Sequence, residues 1–196
     1  MEKKQLILAS KSPRRIEILS KYIEGLESVN PEVDERIDFH LKPKETAMAI
    51  ALKKALQIAN NKAYQDCIVL ASDTIVYLDR LMGKPKDRQD AYNMLCELNG
   101  REHSVITGFA IIHRLMNRCV IDFDQTYVQF EQLTQQQIEA YLDTREFKDK
   151  AGAYGIQGYG ELLVKSIVGS YANVMGLPIG MVNKYLRTVF EYNLLD

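Results

Sequence analysis

Ile68-Val69-Leu70-Ala71-Ser72-Asp73-Thr74-Ile75-Val76 places one carboxylate among apolar and hydroxyl side chains. Cys67 to Ala71 and Thr74 to Leu78 read as two β-type runs, divided at Ser72-Asp73. An acid in that position is expensive to bury without a cation, a metal or several hydrogen-bond donors. Two readings follow. Asp73 either serves a sharp turn, with Thr74 opening the next strand, or ends a strand beside a ligand, where a metal ligand or a water-activating base belongs.

Upstream, Lys44 to Asn61 is the clearest helix, with Ala47, Ala51, Ala55 and Ile58 recurring along one face. Lys54 lies at the margin of that face. It either snorkels to solvent or reaches an acid or a phosphate across the core edge. Residues 31–43 are polar and irregular, with room for a short edge strand. Glu32, Asp34 and Glu35 there form an acidic patch, which can hold magnesium or be plain surface charge. Further back, Leu6 to Ala9 reads as a buried strand and Pro13 to Lys21 as a helix, with Ser12 as its N-cap and Pro13 at the first helical position. A strand turning quickly into a helix leaves backbone N–H groups that favour an anion. Lys11, Arg14 and Arg15 add cations there, suited to a triphosphate. The alternative is a solvated basic turn.

Downstream, Lys84 sits on a turn in Gly83-Lys84-Pro85, placed to fold back toward Asp73. Arg88 to Leu98 is a helix with Asn99-Gly100 as C-cap. Ser104 to Arg114 and Cys119 to Phe130 read as a pair of long strands; His103 begins the first and is given no catalytic role. Thr134 caps a helix through Leu142, with Gln137 as capping-box partner. In Asp149 to Gly160, four of the eleven glycines fall close together, so the backbone bends tightly or approaches something closely. The spacing matches neither a kinase-type phosphate loop nor a dinucleotide fingerprint. Gln157 in this loop suits a base edge, or is simply solvated. An apolar segment from Leu162 to Val168 and a helix from Pro178 to Tyr192 complete a mixed-sheet α/β or α+β pattern.

With 196 residues, 46% hydrophobic and 26% charged, the chain has the composition of a globular domain. Its net charge of -1 offers no global attraction for a nucleic-acid polymer or an anionic membrane, so phosphate affinity must be local. Cys67, Cys96 and Cys119 fit neither a disulfide framework nor a zinc site and are expected to be buried apolar side chains in a reducing, cytoplasmic setting. Met1-Glu2-Lys3-Lys4 leads into an apolar stretch too short for a signal peptide, and no apolar run approaches a membrane span.

Taken in order, several segments resemble the Maf family of nucleotide pyrophosphatases, once named for a link to septum formation. They are Ala9-Ser10-Lys11-Ser12-Pro13-Arg14-Arg15, Val33-Asp34-Glu35, Lys54-Ala55, Ser72-Asp73-Thr74-Ile75-Val76, Gly83-Lys84-Pro85 and His103-Ser104-Val105-Ile106-Thr107-Gly108. Asp149 to Gly158 and Gly176-Leu177-Pro178 continue the series. The resemblance implies an inosine-triphosphate-pyrophosphatase-like fold: an elongated mixed sheet flanked by helices, one domain over 1–196 or two lobes around a deep central cleft. It implies Asp73 as proton acceptor, Glu35 and Asp73 as ligands of a divalent cation (Mg2+ or Mn2+), and Ser10, Arg14, Arg15, Lys54, Thr74, Lys84 and Gln157 as substrate-binding residues. Arg14, Thr74 and Gln157 look like the branch acting on dTTP and UTP, whereas the branch acting on 7-methyl-GTP differs there. Asp79-Arg80-Leu81-Met82 departs from the family's frequent Asp-Gly turn. The implied reaction is hydrolysis between the α- and β-phosphates, releasing a monophosphate and pyrophosphate. A homodimer is implied as well, although no heptad or apolar patch in the chain argues for one. The rival is a nucleotide-binding regulator of cell division with little turnover.

Overall fold

The computed structural model describes residues 4–35 and 41–195. Among them seven strands form one mixed sheet: β1 (Leu6–Ala9), β2 (Glu27–Val29), β3 (Ile68–Tyr77), β4 (Leu81–Met82), β5 (Glu102–His113), β6 (Arg118–Phe130) and β7 (Val164–Val168). The order is β2-β1-β3-β5-β6-β7, with β4 paired to β3. The helices are α1 (Pro13–Ser20), α2 (Pro43–Ala59), α3 (Arg88–Leu98), α4 (Gln135–Asp143), α5 (Tyr171–Met175) and α6 (Ile179–Phe190). The expected mixed α/β architecture is thus present. No helix among the described residues is long and apolar enough to cross a membrane.

The chain divides into two compact units. The first comprises Met1–Asp73, Thr107–Asp124 and Gly176–Asp196. Here β1 runs parallel to both neighbours, with Ile7 opposite Glu27 on one side and Val69 on the other. Side chains alternate across a strand. Ile7 and Ala9 of β1 therefore share a face with Val69 and Ala71 of β3, and that face packs on Ala51, Ala55 and Ile58 of α2. Small residues let the helix lie close to the sheet. Gly108 of β5 takes this furthest, since a Cβ there would stand 2.4 Å from the backbone of Ala47 and Met48.

The second unit comprises Thr74–Ile106 and Gln125–Met175. Its antiparallel pairs include β3 with β4, Val76 opposite Met82, and β6 with β7, Tyr127 opposite Val168. The Asp79-Arg80 turn that joins β3 to β4 is held from outside, by Arg101 on Asp79 and Glu97 on Arg80. Ala91, Met94, Leu95 and Leu98 of α3 form a helical stripe buried against Phe130, Ile138 and Leu142. The Thr134–Gln137 capping box is formed as expected.

Several expectations need correction. Ser72-Asp73 does not divide two runs, because β3 passes through it unbroken. The edge strand lies at Glu27–Val29, before the stretch where it was expected, and the part of that stretch at 36–40 lies outside the described residues. Ser12 occupies the N-cap position of α1 without a side-chain cap; its own N–H instead donates to Ser10 Oγ at 3.1 Å. The apolar segment from Leu162 to Val168, to which no element was assigned, supplies β7 from Val164, and α5 had no signal in the sequence reading. Cys67 is buried, but Cys96 and Cys119 are exposed. Cys96 falls outside the buried α3 stripe, and Cys119 lies where the start of β6 alternates between half-buried and exposed.

Candidate active site

The face of β3 that carries Val69 and Ala71 presents Asp73 next, still beside α2. Lys54 stands on the matching part of α2, flanked by Ala51 and Ala55. Its Nζ donates to Asp73 Oδ1 at 2.7 Å and lies 2.8 Å from Glu35 Oε1. The Lys54 side chain is 6% exposed, that of Asp73 12% and that of Glu35 41%. Of the two outcomes open to Lys54 in the sequence, it takes the inward one. Pairing removes much of the cost of burying either charge alone.

Glu35 is brought to this point by its own segment. Gln57, one turn beyond Lys54 on α2, clamps the Glu32 backbone in both directions: Gln57 Nε2 donates to the Glu32 carbonyl at 2.9 Å, and Glu32 N–H donates to Gln57 Oε1 at 2.7 Å. Sequence reading passed over Gln57, although its place three residues after Lys54 puts it on the same side of the helix. It passed over Ser72 too. On the opposite face of β3 from Asp73, Ser72 Oγ donates to the Gly176 carbonyl at 2.8 Å. Arg15 Nε donates to the same carbonyl at 2.9 Å. One oxygen with two lone pairs thus joins α1, β3 and the chain leading to α6.

The turn after β1 belongs to the same unit. Ser10 is buried, its Oγ accepts from Ser12 N–H, and its carbonyl accepts from Ser28 Oγ. Arg14 and Arg15 are both half-buried. Desolvation holds the Arg15 guanidinium below its ordinary range. Asp73 and Glu35 act in the opposite direction, and Arg14 adds to the lowering. An arginine so shifted stays charged at neutral pH. Arg15 therefore feels both acids of the Lys54 cluster. Ser10, Arg14, Arg15, Glu35, Lys54 and Asp73 all lie in the first unit.

Thr74, Lys84 and Gln157 lie in the second unit. Thr74 is half-buried in β3, Lys84 is exposed, and Gln157 is half-buried in extended backbone just before a 3-10 turn, Gly158–Leu163. The glycine loop is as tight as its composition suggests: a Cβ on Gly160 would fall 1.9 Å from the Gly155 carbonyl oxygen. A cavity of about 540 Å³ in the same unit, bordered by Lys86, Arg88 and Arg145, includes none of these three residues.

Among the described residues no group of three or more His, Cys, Asp or Glu is arranged to hold a metal. Asp73 and Glu35 nonetheless converge on a single cation, the Lys54 ammonium. Two hard carboxylate oxygens meeting on one positive charge are the donor chemistry that magnesium and manganese take, with further oxygens supplied by water or phosphate.

Comparison with known proteins places a family match over nearly the whole chain. The family model described as Maf-like protein matches residues 5–189. The dTTP/UTP pyrophosphatase of Alkaliphilus oremlandii (strain OhILAs) is 45% identical over 192 residues, covering 98% of this chain and 100% of its own. Proteins of the same name from Clostridioides difficile (strain 630) and Pyrococcus abyssi (strain GE5 / Orsay) are each 45% identical. They cover 96% and 95% of this chain, and 97% of their own length in both cases. Among solved structures, a HAM1 protein from Coxiella burnetii overlaps 65% of this chain and 73% of that chain at 14% identity, with a TM-score of 0.43, too partial to bear on the fold.

Proposed function

The chain belongs to the Maf family, and from that premise we propose that it is a nucleoside triphosphate pyrophosphatase acting on dTTP and UTP, as its relatives are named. Water would cleave the anhydride between the α- and β-phosphates, giving a nucleoside monophosphate and pyrophosphate. A carboxylate buried in mid-strand, fixed by a buried lysine that also grips a second acid, carries this reading. Such an acid is held in place before substrate arrives, which is what proton transfer at a defined atom requires.

In this reading Asp73 accepts the proton of the attacking water. Lys54 keeps the Asp73 carboxylate oriented and, with Arg14, Arg15 and Lys84, offsets charge developing on the leaving pyrophosphate. Ser10 and the backbone after it bind phosphate oxygens; Thr74 and Gln157 serve the nucleoside, Gln157 through a base edge. Asp73 and Glu35 would hold the divalent cation, magnesium or manganese, which supplies neutralisation of phosphate charge when bound. The setting is the cytoplasm and the assembly a homodimer, which light scattering would check.

A panel of nucleoside triphosphates, with pyrophosphate and orthophosphate measured separately, tests the reaction. Release of pyrophosphate from dTTP and UTP ahead of purine substrates is expected, whereas orthophosphate as the first product would overturn it. Asp73→Asn, with folding verified, should lower turnover about a hundredfold or more. Near-native turnover in that variant would remove Asp73 from the role of base.

A further inference from the structure

His103 and Tyr154 form a buried polar pair in the second unit, and neither has a part in the reaction above. His103 is the second residue of β5, and its Nε2 lies 2.7 Å from the Tyr154 hydroxyl. The two rings meet edge-on at 5.4 Å, and Phe130 closes the triangle at 5.0 Å from His103 and 4.7 Å from Tyr154. All three side chains are buried. Burial pushes the imidazole down to about 4 and the phenol upward, so both are neutral at physiological pH. A neutral imidazole with its proton on Nδ1 accepts the Tyr154 hydroxyl proton at Nε2.

Two phenylalanines would fill this space without any polar atom to satisfy. A buried hydrogen-bonded pair does something that apolar packing does not: although His103 Nδ1 has no hydrogen-bond partner among the described residues, the bond between Nε2 and the Tyr154 hydroxyl favours one arrangement over the alternatives. The segment it fixes needs fixing. Gly152 and Gly158 both adopt positive φ, at 67° and 65°, so the loop's own backbone has much freedom to lose. Its flanks are tied: Gly152 N–H donates to the Gly83 carbonyl at 3.1 Å, Lys150 Nζ donates to the Glu146 carbonyl, and Gly160 N–H donates to Glu146 Oε2 at 3.3 Å. Between those ties, Tyr154 is the side chain that bonds into the core, three residues before Gln157.

We propose that His103, acting through Tyr154, is a positioning residue that sets the glycine loop so that Gln157 meets the nucleobase, and thereby a determinant of pyrimidine selectivity. The inference rests on the reading of Gln157 as the residue facing the base. His103 touches no substrate. Its contribution is pre-organisation of the loop, so its loss weakens recognition of a part of the substrate remote from the phosphates.

Tyr154→Phe keeps the ring and deletes only the hydroxyl. Steady-state kinetics well below the melting temperature should show the UTP KM rising about fivefold to tenfold, the worth of one hydrogen bond. The kcat should stay within about twofold, as expected when uniform binding is lost. Discrimination between UTP and purine triphosphates should narrow by a similar factor. His103→Gln in the Tyr154 protein, whose Oε1 can accept from the Tyr154 hydroxyl, should keep KM and selectivity close to wild type. If Tyr154→Phe folds poorly, the double variant His103→Phe/Tyr154→Phe removes both polar partners and is read in the same way. A lower melting temperature with unchanged KM and selectivity would reduce the pair to packing and overturn the proposal. Gln157→Ala separates the two layers. If it shifts KM and selectivity while Tyr154→Phe does not, the His103 inference fails alone; if Gln157→Ala shifts neither, the reading of Gln157 fails and takes the inference with it.

Discussion

Replacing Lys54 by methionine keeps most of the side-chain volume and removes the ammonium that Asp73 and Glu35 share. Asp73 would then stand nearly buried without its direct counter-ion. Breaking a buried ion pair from one side costs about 3–5 kcal/mol. Arg15 still stabilises the carboxylate through its field, and Glu35 is exposed enough to be rehydrated cheaply. The lower end of that range, about 3 kcal/mol, is therefore expected. For a chain of this size it corresponds to a fall of roughly 6–12 °C in melting temperature. Asp73→Asn should cost less, because Lys54 keeps the partly exposed Glu35 as its counter-ion. The double variant Lys54→Met/Asp73→Asn should be more stable than the sum of the single losses predicts, with a coupling of about 1–3 kcal/mol. Urea unfolding at pH 7 of the four proteins, compared by midpoint at equal slope, measures each corner of the cycle. A Lys54→Met cost below about 1 kcal/mol, or strict additivity with Asp73→Asn, would refute the claim that this pair is an obligate buried unit.

Two further predictions follow from packing and from titration. Gly108→Ala sets a methyl 2.4 Å from the Ala47 and Met48 backbone and should push α2 off the sheet, costing about 1–3 kcal/mol; because α2 carries Lys54, pyrophosphate release should fall as well, and unchanged stability by thermal melting would contradict the close approach. His103 has its pKa lowered from 6.5 to about 4 on folding, so between those values the unfolded chain holds more of this proton. Stability from this group is complete above about pH 6.5 and is lost as pH falls toward 4, by at most about 3 kcal/mol. The wild-type pH-stability curve should therefore be steeper in that window than that of His103→Gln, and superimposable curves would exclude a buried neutral imidazole.

The periodic elements were legible because their burial is one-sided. The Ala47-Ala51-Ala55 stripe, the Thr134 capping box and the Asn99-Gly100 stop all describe local geometry, and each appears where its residues require it. What escaped were features decided by partners distant in sequence. Ser72-Asp73-Thr74 has the composition of a turn, yet it continues β3 because Ser72 finds the Gly176 carbonyl and Asp73 finds Lys54. Ser12 is a sound N-cap by type, yet its side chain makes no cap, for which no physical reason is visible in its surroundings. Lys54 was ambiguous at the edge of its helix until Asp73 was known to face it. The resemblance named the acids and cations; it did not show that Gln57 clamps the Glu32 segment or that Arg15 also serves the Gly176 carbonyl.

That carbonyl also sets a timetable for synthesis. Its two donors lie 161 and 104 residues upstream, so α1 and β3 leave the ribosome long before their common acceptor exists. Until Gly176 emerges, the Ser72 hydroxyl and the Arg15 guanidinium must be kept by water or by chaperones. A nascent chain can therefore own every acid and cation of the site while still lacking the knot that secures them.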